Sequence, residues 1–485
     1  MTSIKHAYNS RKTHNLRKFN MSEPECTDTA PSNIHMARNG ASRNLTEGAV
    51  SKHLLRLSIP MVWGIFSIIA IQLIDMFYIG LLGEQALAAI SFTFPVTYAV
   101  FSVFMGFGVA MSSVVSRLIG AGEHTKMHRV LFHGFILVAL CGTICAVLGN
   151  FYARDIFALM GAEGAVLDDL LGYMHIWFAG VVLVSLPMIG NSAMRACGDA
   201  RIPAYVMGVS ALTNLIMDPI LIFGWLGFPE MGMEGAALAT ILSYFAGLVI
   251  GLYIMIFKMK ILVNPAEFGW LKDFGDSTRR LVVIAVPAGI TSAIQPLLQA
   301  FVTALLAGSG AYAVAAYGVV TRVEAFLFVP IMAMSTGLAP IIGQNFGAGL
   351  YGRVYEGLHF WMRLAFIWSL LTAVLMMALG GFITSWFSDN AQTIKLAQLY
   401  FWIVPVTYIL ANILPGWASA FNAVAKPHLA FFILIFRMLV LSAPACLVGA
   451  HLAGVTGIFL GLAVANILSG TLTHVLGWRY ISRYA

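Results

Sequence analysis

Residues 205–227 read YVMGVSALTNLIMDPILIFGWLG, a stretch long and apolar enough to cross a bilayer, yet with polar residues in its middle. Asn214 and Asp218 are four positions apart, so a helix places both side chains on one face. Pro219 has no N–H and leaves the carbonyl of Leu215 without its helical partner, which predicts a bend. A charge in mid-membrane costs roughly 2.5–3.5 kcal/mol on insertion scales, so we interpret this cluster as a functional site. The alternative is an Asp that only pairs with an amide between helices.

Composition assigns the whole chain to the membrane. Of 485 residues, 59% are hydrophobic and 10% are charged, and the mean hydropathy is +0.85. Soluble domains are about 25% charged, so we predict an all-α polytopic membrane protein whose partner is the lipid bilayer. The net charge of +7 is spread over short loops, which is an orientation signal and indicates no nucleic-acid partner.

Alternating apolar runs and breaks predict twelve transmembrane helices, at 54–80, 88–116, 130–152, 170–194, 204–226, 236–257, 281–307, 315–342, 357–382, 396–420, 428–450 and 455–478. If the N-terminal tail is inside, the inward connections collect most basic residues, whereas the outward ones hold only Arg154 and Lys395. This asymmetry predicts that both termini are cytoplasmic. We expect the plasma membrane (inner membrane) of a bacterium.

An internal repeat divides these spans into halves. Pro60 has a counterpart 227 positions later in Pro287, and residues 120–122 (Gly-Ala-Gly) have one in residues 347–349. Six spans per half give both halves the same orientation, which predicts two pseudo-symmetric six-helix bundles around a substrate cleft. The predicted segments are a polar, disordered cytoplasmic tail (1–50), an N-terminal lobe (51–257), a cytoplasmic linker (258–280), a C-terminal lobe (281–478) and a short cytoplasmic C-terminus (479–485).

The acidic residues break the symmetry of the repeat. Asp75 is opposite Val302, and Asp218 is opposite Ser442, so the acidic pair is confined to the first half. If the two carboxylates meet, they cannot both stay ionised unless a cation intervenes. We therefore predict a site for H⁺ or Na⁺, with further oxygens from Asn214 and Thr240. Alternatively, the Thr240 hydroxyl bonds back to its own helix.

In the second half, Glu324 is the acidic residue within a predicted span. We predict that it lines the substrate cleft, or else forms a structural ion pair with Arg363 or Arg437. Gln295 and Gln299, four positions apart, are further candidates for the cleft, and hydrogen bonding between packed helices is the alternative for them.

Seven fragments share an order and spacing with one transporter family. They are Ile59-Pro60, Asp75 followed by FYIGLLG, Ala88-Ala89, Arg195-Ala-Cys-Gly-Asp199 with Pro203, Asn214-x-x-x-Asp218, Gly235-Ala-Ala-x-Ala-Thr240 and Gly343-Gln-Asn-Phe-Gly-Ala-Gly349. Through them the chain resembles the MATE family of multidrug and toxic-compound extrusion transporters over roughly residues 50–478.

The resemblance implies two lobes in a V shape, and antiport of amphipathic, often cationic, organic compounds against H⁺ or Na⁺. The family's cation site would be formed here by Asp75, Asn214, Asp218, the backbone carbonyl of Ala236, and Thr240. The seventh predicted helix contains no acidic residue, which points to the DinF-like branch. We expect a monomer that is not an enzyme and needs no cofactor.

Two other functions remain open. A flippase for lipid-linked sugars would need several basic residues in the cleft, and only Arg322, Arg363 and Arg437 are intramembrane. An intramembrane aspartyl protease would use Asp75 and Asp218 as a proton-sharing pair. The chain has no Gly-x-Gly-Asp site, which argues against the protease.

Overall fold

A computed structural model describes residues 44–263, 269 and 272–483, so most of the predicted tail lies outside the described residues. The apolar runs form helices because lipid offers no partner for an open backbone group. The spans are α1 (Val50–Gly80), α2 (Glu84–Gly120), α3 (His124–Leu159), α4 (Gly164–Ala196), α5 (Arg201–Ile222), α6 (Gly232–Lys258), α7 (Phe274–Ala307), α8 (Ala311–Leu327 and Val329–Gly347), α9 (Tyr351–Ser385), α10 (Ala391–Ala423), α11 (427–452) and α12 (455–481).

The last helical element, Pro427–Ile481, is a hairpin of two spans. Its backbone leaves the helical region at Ala453 and Gly454, where the φ angles are −143° and 57°. Gly449 and Gly457, on either side of this turn, lie in backbone contact, so the two arms run antiparallel. Ten helices of the described chain are long and apolar enough to span, eleven when the bent α8 counts as one. The hairpin adds the twelfth, and the predicted number is confirmed.

Most helices extend beyond their predicted ends, whereas α5 ends at Ile222 and not at the predicted residue 226. α2 continues to Gly120 and α3 already begins at His124, whereas the sequence predicted a loop over 117–129. A charged residue such as Arg117 favours a loop in a hydropathy pattern, but a helix that leaves the bilayer keeps its backbone hydrogen bonds in water. For the same reason, α7 begins at Phe274 rather than at residue 281.

The two halves of the repeat meet where α2 packs on α8 and through two further helix pairs that are equivalent to each other. α2 packs along α7, where Gly106 lies against the backbone of Ala285, and α1 packs along α8, where Gly337 lies against Ser58. Ser58 and Ala285 occupy equivalent positions of the repeat. The contact between the halves therefore follows the pseudo-twofold symmetry.

This contact is tightest at one end, which we call the tail face: the ends of α1 at Val50, of α2 at Gly120 and of α8 at Gly347. A Cβ atom on Gly120 would overlap the carbonyl oxygen of Gln344, and one on Gly347 would overlap that of Arg117. Because only glycine allows so close an approach of two backbones, the lobes are closed at the tail face.

Leu45, just before α1, reinforces this closure. Its side chain is 2% exposed. Its N–H donates to Gln344 Oε1 at 3.0 Å, and its carbonyl oxygen accepts from Asn345 and Arg353 at 3.2 Å each. Gln344 Nε2 in turn donates to the carbonyl oxygen of Ala196 in α4, at 2.8 Å. The segment around Leu45, which we call the Leu45 segment, therefore joins the first half of the repeat to α8.

The contact between α1 and α8 ends partway along α8. α1 packs along the arm Val329–Gly347 but scarcely along Ala311–Leu327, and the stacked rings of Phe66 and Phe326, 6.1 Å apart, lie near the transition. On the other helix pair, the Tyr98 hydroxyl donates to the carbonyl oxygen of Ser292 at 3.3 Å. The lobes therefore diverge along α1 and α8, away from the tail face.

Candidate functional site

Close helix packing assembles a polar cluster inside the first lobe. Asp75 lies on α1, Asn214 and Asp218 lie on α5, and Thr240 lies on α6. α6 can approach α5 because Gly235 has no side chain: a Cβ atom there would overlap the carbonyl oxygen of Leu221. The small residues of the Gly-Ala-Ala-x-Ala-Thr fragment therefore serve to bring Thr240 to the acidic residues.

Hydrogen bonds join the four side chains. Asn214 Nδ2 donates to Asp75 Oδ1 at 2.9 Å and to Asp218 Oδ1 at 3.3 Å, and Thr240 Oγ1 donates to Asp75 Oδ2 at 3.1 Å. The Asp75 and Asp218 carboxyl groups also lie close enough to each other to interact electrostatically. Thr240 thus serves the cluster rather than its own helix.

Two oxygens of this cluster have no partner among the described residues. Asn214 and Asp218 are 0% exposed, and Asn214 Oδ1 and Asp218 Oδ2 receive no hydrogen bond. Buried polar atoms are nearly always satisfied, and these two lie beside a pair of carboxyl groups, which makes the cluster a candidate ion site. A proton shared by the two carboxyl groups, or a Na⁺ ion among these oxygens, would satisfy them. The donor set fits both ions.

The remaining predicted members lie beside the cluster. Ala236 is fully buried in α6, one turn before Thr240, and a role for its backbone carbonyl stays a prediction. Pro219 lies within α5 directly after Asp218. The predicted loss of one helical hydrogen bond therefore falls at the acidic pair.

Sequence reasoning missed two tyrosines. Tyr173 of α4, 6% exposed, lies close enough to Asp75 and Asp218 to interact with both electrostatically. Tyr244 of α6 lies close enough to Asp75 to do the same. The repeat carried a signal for the first, because Tyr173 is the counterpart of Tyr400 at the spacing of 227. Tyr400 contacts the buried acid of the second half, as described next.

Glu324 lies inside the second lobe and is 9% exposed. It forms no ion pair with a described residue; instead it accepts hydrogen bonds from the hydroxyls of Tyr400 at 2.7 Å and Tyr408 at 2.5 Å. Arg437, one proposed ion-pair partner, donates to Asn466 Oδ1 at 2.9 Å. Direct contact of Glu324 with substrate stays a prediction. Because Glu324 is buried, a role inside the second lobe is favoured over one at the cleft surface.

Gln295 and Gln299 lie on α7. Gln295 is exposed and Gln299 is partly exposed, on the same helix face as Ser292, whose carbonyl oxygen accepts the Tyr98 bond from α2. The two glutamines therefore lie on the side of α7 that contacts the first lobe. A place in the substrate cleft stays a prediction for both.

Thr240→Val is expected to weaken ion binding about 10- to 100-fold, because the lost hydrogen bond to a carboxylate contributes about 1.5–3 kcal/mol. Thr240→Ser keeps the hydroxyl and is the matched control. The measurement is the H⁺ or Na⁺ concentration at half-maximal transport. Equal values for the valine and serine variants would exclude the hydroxyl from the ion site.

The sequence profile of the family described as MatE matches residues 60–220 and 287–448, one match in each half of the repeat. An FAD transporter of Shewanella oneidensis is 35% identical over 439 residues, which cover 90% of this chain and 96% of the relative. A probable multidrug resistance protein of Bacillus subtilis, YoeA, is 27% identical over 83% of this chain and 88% of its own length. The multidrug export protein MepA of Staphylococcus saprophyticus is 26% identical over 87% of this chain and 92% of its own length.

Solved structures agree with the fold. The Vibrio cholerae MATE transporter VcmN in its bent form superposes with a TM-score of 0.84 at 27% identity, covering 90% of this chain and 98% of that one. An outward-facing multidrug resistance MATE transporter superposes with a TM-score of 0.85 at 23% identity, with 92% and 99% covered. The predicted all-α, two-lobed architecture is confirmed.

Proposed function

Since the chain belongs to the MATE family of transporters, we propose that it exports small organic molecules in exchange for H⁺ or Na⁺. The observation that carries this proposal is the buried cluster of Asp75, Asn214, Asp218 and Thr240 with its two unsatisfied oxygens. The two oxygens lie beside a pair of acidic side chains, so a bound cation would satisfy the oxygens and neutralise the carboxylates together.

The closed tail face indicates how the cluster acts. With the tail face cytoplasmic, as the loop charges predict, the lobes diverge toward the outside. A cation from the outside reaches the acidic pair and neutralises it. The loss of charge changes how α5, near Pro219, packs against α1. We propose that this change favours substrate release, and that the cation leaves when the lobes reopen at the tail face.

The same proposal includes the organisation of the chain. We assign the two lobes to residues 51–257 and 281–478, with both termini cytoplasmic, in a monomer that moves its substrate without chemical change. The symmetric contact of α2 with α7 and of α1 with α8 supports a boundary between them.

For the substrate, we propose FAD as the first compound to test. The FAD transporter is 35% identical, whereas the drug transporters reported above are 26–27% identical. Phe66, Phe326 and Tyr98 offer partly exposed aromatic surface near the place where the lobes diverge. Such rings stack on planar ring systems, which flavins share with cationic dyes. Amphipathic cations of the kind predicted from the sequence are therefore the second candidate.

The test is transport by the full chain in lipid vesicles that contain FAD or ethidium, under an imposed gradient of either pH or Na⁺. We expect one gradient to accelerate release of at least one compound at least tenfold over vesicles without protein. A choline gradient of the same ionic strength is the control for osmotic and salt effects.

Movement without dependence on either gradient would overturn the coupling. If neither compound moves, export of these classes is wrong, and lipid-linked sugars become the next substrate to test. For that flippase, neutralising Arg322, Arg363 and Arg437 should abolish binding of the lipid carrier.

A further inference from the structure

Glu324 is a buried acid that the proposed ion site does not use. It lies on α8 in the last turn before the helix bends by 43° between Ala311–Leu327 and Val329–Gly347. A carboxylate inside a membrane protein is costly and is retained where it has a function. It needs a countercharge or a proton, and no described basic side chain forms an ion pair with it.

The hydrogen bonds of Glu324 leave one oxygen free. Tyr400 and Tyr408, both on α10, donate their hydroxyl protons to the same atom, Oε1. Oε2 receives no hydrogen bond from a described residue. With Oε1 occupied as an acceptor, Oε2 is the position at which a proton can bind.

The surroundings contain few other titratable groups. Tyr317, on α8 itself, and the two tyrosines of α10 interact with the carboxyl group. On α11, Arg437 lies near Tyr400, and Cys446 lies near Tyr317. The described residues of α7, α9 and α12 place no charged partner on Glu324. The charge of this region therefore changes chiefly when Glu324 gains or loses a proton.

Tyr408 connects the carboxyl group to the bend of α8. Its hydroxyl donates to Glu324, while its ring packs edge-on against Phe328 at a centroid distance of 5.2 Å. Phe328 is the residue between the two arms of α8, and its N–H donates to the backbone oxygen of Glu324 at 2.9 Å. Trp368 of α9 donates to the carbonyl oxygen of Leu327 at 2.8 Å. Glu324, Tyr408 and Phe328 therefore form a continuous series of contacts from the carboxyl group to the bend.

We propose that Glu324 is a second proton-binding site, in the second lobe, and that its protonation changes the bend of α8. The arm Val329–Gly347 forms the closed contacts at the tail face, and the other arm carries Phe326. Altering the angle between them changes both the closure and the cleft. The part played in transport rests on the proposed function, whereas proton binding by Glu324 does not.

The test of proton binding is infrared difference spectroscopy of the full chain in lipid vesicles during a pH titration, which detects protonated carboxyl groups. We expect Glu324→Gln to lose one carboxyl band that the double variant Asp75→Asn/Asp218→Asn retains. The titration is kept above about pH 6, where ordinary exposed carboxyl groups are already ionised. In that range Glu230→Gln, at an exposed loop position, should keep every band of the wild type. A band set unchanged by Glu324→Gln would overturn the proposal.

Tyr408→Phe keeps the acid and therefore tests the geometry if Glu324→Gln folds poorly. A hydrogen bond to a charged group contributes a free energy that corresponds to a shift of one to two pH units. We expect the titration midpoint of the Glu324 band to move by about one to two pH units in Tyr408→Phe. Tyr312→Phe, which removes an exposed hydroxyl from the same helix as Glu324, should leave the midpoint unchanged. Equal midpoints in both variants would contradict the proposal.

The effect on α8 is measured with spin labels at Ala315 and Leu350, which are exposed and lie on either side of the bend. We expect the label distance to change with pH in the wild type and in Asp218→Asn, and to become pH-independent in Glu324→Gln. A label distance that still depends on pH in Glu324→Gln would show that protonation of Glu324 does not control the bend. The infrared, Tyr408→Phe and spin-label measurements do not depend on transport, so they can be interpreted even if FAD and ethidium are not exported.

Discussion

Asp218→Asn is expected to abolish gradient-driven export while leaving the protein folded. Asparagine cannot bind a proton or neutralise a cation, but it preserves the shape of a side chain that is 0% exposed. A membrane potential of 100 mV and one pH unit together provide about 3.7 kcal/mol per proton, or roughly a 500-fold concentration ratio for a neutral compound. We expect the ratio to fall to about one in the variant. The measurement is the steady-state concentration ratio across vesicles under fixed gradients.

Asp155→Asn is the matched control, because Asp155 is an exposed acid on α3, outside the cluster. It should retain the ratio of the wild type. Asp75→Asn should behave like Asp218→Asn, since the two carboxyl groups act on one ion. Full export by Asp218→Asn would mean that the Asp75–Asn214–Asp218 contacts are structural, and that coupling has to be sought at Glu324.

Gly347→Ala is expected to open the tail face. The added Cβ atom would overlap the carbonyl oxygen of Arg117, so α2 and α8 have to separate. Overpacking of this kind costs about 1–3 kcal/mol, which shifts the equilibrium between closed and open lobes about 5- to 150-fold. The readout is the alkylation rate of a cysteine introduced at Ser116, which is 0% exposed beside α8. That rate should rise by a similar factor.

Gly318→Ala is the control, because a Cβ atom at Gly318, also on α8, meets no atom within 4 Å. It should leave the alkylation rate of the introduced cysteine unchanged. Gly120→Ala should reproduce the effect of Gly347→Ala from the opposite lobe, since Gly120 lies against Gln344. Equal alkylation rates in the wild type, Gly347→Ala and Gly318→Ala would show that this glycine contact does not hold the tail face closed.

The membrane-spanning helices and the polar cluster of the first lobe could be predicted from the sequence because each rests on a local or repeated signal. Length and hydropathy mark a span, and the spacing of four in Asn214-x-x-x-Asp218 puts both side chains on one helix face. The failure of the repeat at Asp75, opposite Val302, distinguished the acidic half. Helix ends were less predictable, since a charge at the bilayer surface does not stop backbone hydrogen bonding.

Contacts between distant helices required the tertiary structure. Glu324 has no spacing relation to Tyr408, and the Leu45 segment none to Arg353; chain folding alone brings these pairs together. The sequence by itself determined a twelve-span, two-lobed membrane protein with an acidic pair in its first half, because composition and periodicity follow from the solvent that each residue faces. The tertiary structure decided which polar atoms of that pair remain free, where the lobes close and which tyrosines hold Glu324, because these depend on how closely the helices approach.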